Sequence, residues 1–353
     1  MIILHPLIAF CSLGLSLTQA PQAPQAPEPP PALVRFLRES IQLTPDQLAA
    51  ATRGGTVVKV LDTRERRDIA VFGITTVAES RAAYVARVRD AKNWLRTPTR
   101  SRFGLFSDPA IPADVQAFTI SQRDADEMKD CKPGDCVVKL PATDMQRVHA
   151  EANWAAPDLV AQLSAYGRRR LIEYITDYRA RGDSALAIYD DRGNVHASDA
   201  FAALLAESPY VYQTVPSLQR YLASYPRTTL ADAGEVLFWS EDVLPHLRPI
   251  LSVTHQVVFT PPELPGMTLI AAKQIYADHY FEAAVDLTSI VDGQGQGGRP
   301  ASYLLIFRRY RFDNLPGGLL NIRGKAVGAL RDLLQADLQR EQTSAAGSAP
   351  PPR

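Results

Sequence analysis

The sequence has no excess charge of either sign, because 38 Lys and Arg residues balance 38 Asp and Glu residues over 353 positions. A neutral chain exerts no global electrostatic attraction on nucleic acids or on anionic lipid surfaces. Nucleic-acid binding is therefore an unfavourable interpretation of the sequence.

Recognised catalytic motifs are absent as well. The sequence contains no Gly-rich phosphate loop after a strand-like run, no Gly-x-Ser-x-Gly, no His-Glu-x-x-His and no calcium-binding loop. ATP-dependent, nicotinamide-dependent and zinc-protease chemistry are unsupported, and we predict no cofactor and no metal. Hydrophobic residues make up 46% and charged residues 22% of the chain, which is typical of a globular protein.

Long apolar runs are missing except in residues 1–20. This segment ends in Thr18-Gln19-Ala20, with small residues where signal peptidase prefers them, but it contains no Lys or Arg. We predict a signal peptide cleaved after Ala20, and hence a periplasmic or secreted protein. A misassigned start or an uncleaved anchor is the alternative, whereas the bulky Phe10 disfavours a lipoprotein site at Cys11. No other run reaches the ~20 apolar residues of a membrane-spanning helix, so we expect a soluble mature chain.

Cysteine is scarce, and removal of the predicted signal peptide leaves only Cys131 and Cys136. The Pro-Gly pair between them favours a tight turn that brings the two Cβ atoms together, and an exported protein meets an oxidising environment. We predict a structural disulfide. A redox pair or half of a metal site is the alternative, but redox motifs favour Cys-x-x-Cys, and no second cysteine pair completes a zinc site.

The two ends of the chain differ in composition from the rest. Residues 21–31 are rich in proline and predict an extended linker that forms no core of its own and acts as a tether. Residues 342–353 consist largely of Ser, Ala, Gly and Pro and predict a disordered tail. The folded domain is therefore expected over residues 32–341.

The first part of this domain combines helical and strand-like patterns. Residues 32–51 predict one or two short helices, residues 56–61 and 69–77 predict a hairpin, and Ser80 begins a predicted helix to about Leu95. Short extended pieces are expected over 115–120 and 136–140. Residues 144–225 are mostly helical in periodicity.

The last third of the domain is strand-like and ends in a helix. An antiparallel meander is predicted from five runs, at 235–239, 250–259, 267–277, 283–290 and 303–312, with a flexible hairpin tip at 292–298. An apolar stripe over 319–341 predicts a long amphipathic helix, which must bury that stripe on one face of the sheet. The predicted fold class is α+β.

This order of elements resembles the START and Bet v 1-like superfamily, the helix-grip fold that includes polyketide cyclases. The similarity is carried by Val57-Val58-Lys59-Val60-Leu61, by Ile69 to Thr76 leading into Glu79-Ser80-Arg81, and by Ile306 to Phe312 leading into the helix from Leu319. The resemblance covers about half of the expected domain and implies a curved antiparallel sheet that grips the C-terminal helix around a cavity for an apolar ligand. The disulfide turn and the helical residues 144–225 depart from the family pattern, so we interpret the latter as an insertion.

Polar residues inside the predicted strands supply the candidate site. Strand alternation points His255 toward an apolar face, and in a regular strand Lys273 and His279 share one face while Tyr276 and Tyr280 share the other. A bulge near Ala277 or Asp278 rearranges these faces. The candidate ligand-binding residues are Trp239, His255, Lys273, Tyr276, His279 and Tyr280.

Two interpretations of this set stay open. In the first, His255, Lys273 and His279 meet on the concave face and orient a polar head group or perform acid/base chemistry. In the second, they form a buried hydrogen-bond network. A metal site that adds Asp278 and Glu282 is disfavoured, because neighbouring strand positions face opposite ways.

Three functional hypotheses follow from these patterns. The first is an exported protein that binds a lipid or other hydrophobic small molecule between the sheet and the C-terminal helix. The second is an exported hydrolase or isomerase that uses His255, His279 and Lys273. The third is an envelope interaction protein whose helical middle docks a partner.

Overall fold

The computed structural model describes residues 29–244, 247–294, 300–313 and 322–347. These residues adopt the predicted α+β fold. The strands are β1 (Val57–Leu61), β2 (Asp68–Val77), β3 (Arg100–Leu105), β4 (Ile188–Tyr189), β5 (Val195–His196), β6 (Gly234–Asp242), β7 (Ile250–Phe259), β8 (Met267–Ala277), β9 (Phe281–Gln294) and β10 (Pro300–Phe312). The helices are α1 (Pro31–Glu39), α2 (Pro45–Thr52), α3 (Arg81–Arg89), α4 (Ala91–Trp94), α5 (Gln122–Met128), α6 (Ala142–Glu151), α7 (Leu159–Arg181), α8 (Ala197–Ala206), α9 (Pro209–Thr214), α10 (Pro216–Ser224) and α11 (Ile322–Gly347).

Eight of the strands form one antiparallel sheet in the order β1-β2-β10-β9-β8-β7-β6-β3. The sheet is open, with β1 and β3 at its edges, and β4 and β5 pair separately. The predicted hairpin is present as β1 and β2, in which Val57 pairs with Ile74. The predicted meander is present as β6 to β10.

The C-terminal helix α11 packs across β1 and β2. Its apolar stripe contributes Leu330, Leu334 and Leu338 to a core that also contains α3 side chains and one face of the sheet. Gly73 of β2 permits this close approach, because a Cβ atom there would lie 2.5 Å from Leu338 Cδ1. We call this side of the sheet the α11 face.

Helices also cover the opposite side, which we call the α7 face. Side chains of α1, α2, α8 and α10 form a core with this side of the sheet, represented by Leu37, Phe201 and Leu222. Further toward β6, α7 contributes Ile175 and Tyr178 to a second core. The mostly helical region predicted over 144–225 is therefore a layer on the sheet, and both faces of the sheet are covered.

The predicted disulfide is present, since Cys131 and Cys136 are bonded to each other. Both residues are buried in a small core among α5, α6 and α7, together with Met145 and Leu163. The bond therefore closes the turn over a local apolar cluster.

Several predicted boundaries were wrong. The helix expected from Ser80 to Leu95 is interrupted at Asp90, whose φ of −78° and ψ of 70° are not helical. Residues 115–120 and 136–140 form no strand in the described chain; Pro112–Val115 is a 3₁₀ turn instead. The strand β3 was not predicted, because Arg100–Leu105 alternates weakly and gains its strand character by pairing with β6.

The C-terminal helix extends past the predicted end at residue 341. Residues 342–347, expected in a disordered tail, are helical, and Gln342 Nε2 donates a hydrogen bond to Gly54 O at 3.1 Å. The signal peptide and most of the linker, residues 1–28, lie outside the described residues, as does most of the glycine-rich hairpin tip. Within the described residues, no helix has both the length and the apolar character needed to cross a bilayer.

Candidate functional site

Two of the predicted site residues meet directly. His255 of β7 and Lys273 of β8 are cross-strand partners, and both side chains are buried on the α7 face. The His255 ring lies between two tyrosines, with Nδ1 3.0 Å from Tyr178 Oη and Nε2 3.1 Å from Tyr221 Oη. Burial lowers the pKa of His255 despite the nearby Glu235 carboxylate, which favours the neutral ring.

Lys273 is held by groups from the helical layer. Its Nζ donates to Asp183 Oδ1 and, at 2.9 Å, to Leu222 O. The ammonium also lies 4.1 Å from the centre of the Phe201 ring. Burial lowers the pKa of Lys273, and Asp183 opposes that shift. These contacts form a buried hydrogen-bond network, as the second interpretation of the sequence expected.

A bulge brings Tyr276 to the same face. Val253 pairs with Tyr276 while Thr254 pairs with Gln274, so Ile275 is the extra residue of β8. The bulge lies earlier than the position considered at Ala277 or Asp278. Tyr276 Oη then donates to Lys139 O at 2.8 Å. The separation of Lys273 and Tyr276 expected for a regular strand was therefore wrong.

Trp239 lies on the α7 face as well. Its Nε1 donates to Asp114 O at 2.9 Å, and its ring packs edge-to-face on Phe118. Trp239 is thus fully enclosed by protein groups, and ordinary core packing accounts for it.

The remaining two predicted residues lie near the β8–β9 turn. His279 Nδ1 is 3.2 Å from Val137 O and Nε2 is 3.3 Å from Asp124 Oδ1. Burial alone lowers the pKa of His279, but Asp124 and Asp278 raise it above its usual value. Tyr280 has a φ of 62°, and its hydroxyl accepts a hydrogen bond from Arg248 N at 3.1 Å. His279 therefore takes different partners from His255 and Lys273, and the expected convergence of all three was wrong.

A cavity of about 500 Å³ lies on the other side of the sheet, between the α11 face and helices α3, α4 and α11. We call it the sheet–helix cavity. The six predicted site residues are not among its lining residues. The prediction of a cavity between the sheet and the C-terminal helix fits this geometry, whereas ligand binding by the six predicted residues stays a prediction.

The cavity combines aromatic walls with a polar floor. Its aromatic lining residues are Tyr84, Trp94, Phe238, Phe281 and Tyr310. Its polar floor consists of alternate strand positions: Ser240, Ser252, Thr254, Gln256, Gln274, Asp286, Thr288 and Arg308. Ala272 and Ala284, which also line the cavity, leave room above the sheet because their side chains are short.

A charged cluster crosses the cavity from the sheet to α11. Asp286 and Arg308 are cross-strand partners on β9 and β10, and Arg308 Nη2 lies 2.6 Å from Asp337 Oδ2 of α11. Arg308 Nε is 3.4 Å from Asp286 Oδ2, without hydrogen-bond geometry. Asp286 Oδ1 and Arg308 Nε are both buried without a hydrogen-bond partner. Such atoms are rare in folded proteins, and a bound molecule is one source of the missing partners.

Asp286 borders the cavity, and 35% of its side-chain surface is accessible. Burial raises the pKa of Asp286, whereas Arg308 lowers it. Tyr310 Oη lies 3.5 Å from Asp286 Oδ2. The Asp286 carboxylate therefore presents a hydrogen-bond acceptor at the cavity wall.

The cavity lining is neutral overall. It contains five arginines, Arg87, Arg96, Arg100, Arg308 and Arg340, and five acids, Asp90, Asp242, Asp286, Asp337 and Glu341. Ion pairs join many of them, such as Arg100 with Asp242 at 3.1 Å and Arg87 with Glu341 at 2.8 Å. Balanced and paired charges favour a ligand without net charge.

Metal binding has no comparable support. Among the described residues, no group of three or more His, Cys, Asp or Glu side chains is arranged to hold a metal ion. The disfavoured set His255, Asp278, His279 and Glu282 is divided among different neighbourhoods, since Glu282 pairs with Arg67 at 2.6 Å.

The polar residues on the cavity floor follow a pattern that is visible in the sequence. Ser252, Thr254 and Gln256 alternate with apolar residues along β7, a pattern typical of a strand whose polar side faces solvent. The predicted helix α11 must also cover one face of this sheet. The polar side of β7 could therefore lie beneath α11 instead of facing solvent. The two patterns together indicate a polar cavity beneath the helix.

No protein-family model matches the chain, and no curated protein matches it. Among solved structures, the chain is similar to the crystal structure of Zhui aromatase/cyclase from Streptomyces sp. R1128. The identity is 11% and the TM-score 0.24, over 38% of this chain and 84% of the cyclase chain. Membership in the START and Bet v 1-like superfamily stays a prediction.

Proposed function

We propose that this protein binds an uncharged, amphipathic small molecule in the sheet–helix cavity. The observation that carries the proposal is the cavity of about 500 Å³ between sheet and helix, with aromatic walls and a polar floor. Ligand pockets commonly fall between about 300 and 1,000 Å³ and combine apolar walls with a few placed polar groups.

The lining supports a ligand with both apolar and polar parts. Aromatic side chains such as Trp94 and Tyr310 offer flat apolar surface to a ring or an acyl chain. Asp286 accepts a hydrogen bond from a ligand hydroxyl or amide, while Thr254 and Gln274 also offer polar groups. A purely hydrocarbon ligand leaves these groups without partners, which costs binding free energy. The hydrophobic ligand expected from the sequence is thus refined to an amphipathic one.

Export remains part of the proposal and is supported by the sequence of residues 1–20. The intact mass of the protein recovered from the periplasm or medium tests it. A mass that begins at residue 21 and is two hydrogens below that of the reduced chain supports export and disulfide formation. A full-length mass in the cytoplasmic fraction contradicts export but leaves the binding proposal untouched.

A cavity-filling variant tests the binding proposal. Thr288 lies on the cavity floor between Ile270 and Ile306 of the neighbouring strands. Thr288→Leu fills space that the ligand needs, whereas Thr288→Val keeps the volume and removes only the hydroxyl. The full-length proteins are purified under native conditions, extracted with organic solvent, and the extract is analysed by mass spectrometry.

We expect an uncharged molecule in near-stoichiometric amount from wild type and from Thr288→Val. Thr288→Leu is expected to lose at least about fivefold in binding, because overpacking costs about 1–3 kcal/mol and 1.4 kcal/mol is a factor of ten. A ligand retained equally by folded Thr288→Leu contradicts the assignment of the cavity, and a protein that never carries a small molecule contradicts the function.

A further inference from the structure

A second cavity, of about 450 Å³, lies on the opposite face of the sheet. Helices α1 and α10 and the β7–β8 connection surround it, through residues such as Phe36, Leu218 and Leu264. Its floor is formed by β8, β9 and β10. We call it the α1 cavity.

The space in this cavity has an identifiable cause in the sheet. Ser289 pairs with Leu269 on one side and with Leu305 on the other. All three residues line the cavity. Leu269, Ser289 and Leu305 lie side by side across the three strands. Because the serine side chain is much shorter than its two neighbours, it leaves unfilled space between them.

Charge selects what this cavity accepts. Its described lining residues include two acids, Glu263 and Asp292, and no Lys, Arg or His. Asp292 is half exposed and pairs with Arg81 at 3.0 Å. A carboxylate or phosphate group finds no cation among these residues, and the acids at the rim repel it. An uncharged apolar molecule fits this lining best.

The two cavities are separated by the sheet. Thr288 and Ser289 are successive residues of β9, and they line the sheet–helix cavity and the α1 cavity respectively. One residue step along the strand therefore changes the cavity that a substitution affects.

We propose that the α1 cavity is a second binding site, for an uncharged and largely hydrocarbon molecule. It differs from the sheet–helix cavity in chemistry, because its floor lacks the charged cluster of Asp286 and Arg308. Occupancy of one site does not require occupancy of the other.

Fluorescence titration of the full chain with 1,6-diphenyl-1,3,5-hexatriene, an uncharged rod-shaped hydrocarbon, tests the proposal. We expect one binding site that persists in Thr288→Leu and is weakened at least about tenfold, equivalent to 1.4 kcal/mol, in Ser289→Leu. Ser289→Ala keeps the space and is expected to bind as wild type does. The carboxylated analogue of the probe is expected to bind more weakly.

A second variant guards against misfolding of Ser289→Leu. Ala32 is exposed on α1 at the mouth of the cavity, so Ala32→Phe obstructs entry without altering the sheet and is also expected to weaken binding. Probe binding that is unchanged in Ser289→Leu and in Ala32→Phe overturns the proposal. Binding that is lost in Thr288→Leu instead, or that is absent in wild type, also overturns it. If probe binding is lost when the protein dimerises at higher concentration, the α1 cavity is instead a contact surface for a second copy of the chain, and the proposal is overturned. None of these outcomes depends on the extracted ligand that tests the sheet–helix cavity.

Discussion

Removing the carboxylate beside Lys273 should destabilise the protein much more than removing the lysine. Asp183→Asn leaves a buried ammonium without its counter-charge, although Leu222 O and the new amide oxygen can still accept hydrogen bonds. Breaking a buried ion pair from one side costs about 3–5 kcal/mol. Because 23% of the Asp183 side chain is exposed, we expect the lower end, about 3 kcal/mol. Lys273→Met removes the more deeply buried charge and leaves Asp183 with access to solvent, so we expect a clearly smaller loss.

Urea unfolding followed by circular dichroism measures both variants, provided that the slope with urea is unchanged. The pH dependence adds a specific signature. A lysine whose pKa is lowered on folding makes the folded state more stable as pH rises toward 10.5, its ordinary value. Asp183→Asn should therefore recover stability as the pH is raised from 7 to 10. Equal losses for the two variants, or no recovery at high pH, would refute the structural role assigned to Lys273. If wild type shows hydrolase or isomerase activity and folded Lys273→Met loses it, the result favours the catalytic hypothesis for Lys273 instead.

Further predictions concern the helix, the histidine near the β8–β9 turn and the disulfide. Leu334→Ala removes a fully buried contact of α11, and urea unfolding should show a loss of about 3–5 kcal/mol; a loss below about 1 kcal/mol would contradict the observed packing of α11 on the sheet. His279 has a pKa raised on folding by Asp124, so its contribution is present below pH 6.5 and is lost as pH rises through the folded pKa. His279→Gln should flatten that part of the stability–pH curve, and an unchanged curve would contradict the pairing. Cys131→Ser removes a disulfide between residues five positions apart. We expect the free energy of unfolding to fall by about 2 kcal/mol relative to the oxidised wild type, as measured by urea unfolding.

Local patterns predicted much of the fold. The bounds of β7 and β8 agree with the strand-like runs at 250–259 and 267–277, because each of these runs is long and is not interrupted by glycine or proline. The start of α2 is equally local, because the Thr44 hydroxyl accepts a hydrogen bond from Gln47 N at 3.3 Å. The strand β3 escaped prediction because it depends on pairing with β6, a contact distant in sequence.

The site was predicted less well than the fold. His255 was placed on an apolar face by alternation, and the structure confirms that placement. Alternation did not indicate which helices cover that face, and α7 and α10 cover it rather than α11. The bulge at Ile275 also moved Tyr276 to the other side, and a bulge cannot be located from the periodicity of one strand.

The sequence by itself determined the elements: a hairpin, a helical middle, a meander, a long terminal helix and a disulfide turn. Each of these depends on local periodicity, capping or turn chemistry, which neighbouring residues largely decide. The tertiary structure alone decided which polar residues line the sheet–helix cavity. Asp286 and Arg308 meet through strand register, and Asp337 reaches them from a distant helix. Such convergence depends on packing between segments far apart in the chain, to which local patterns are insensitive.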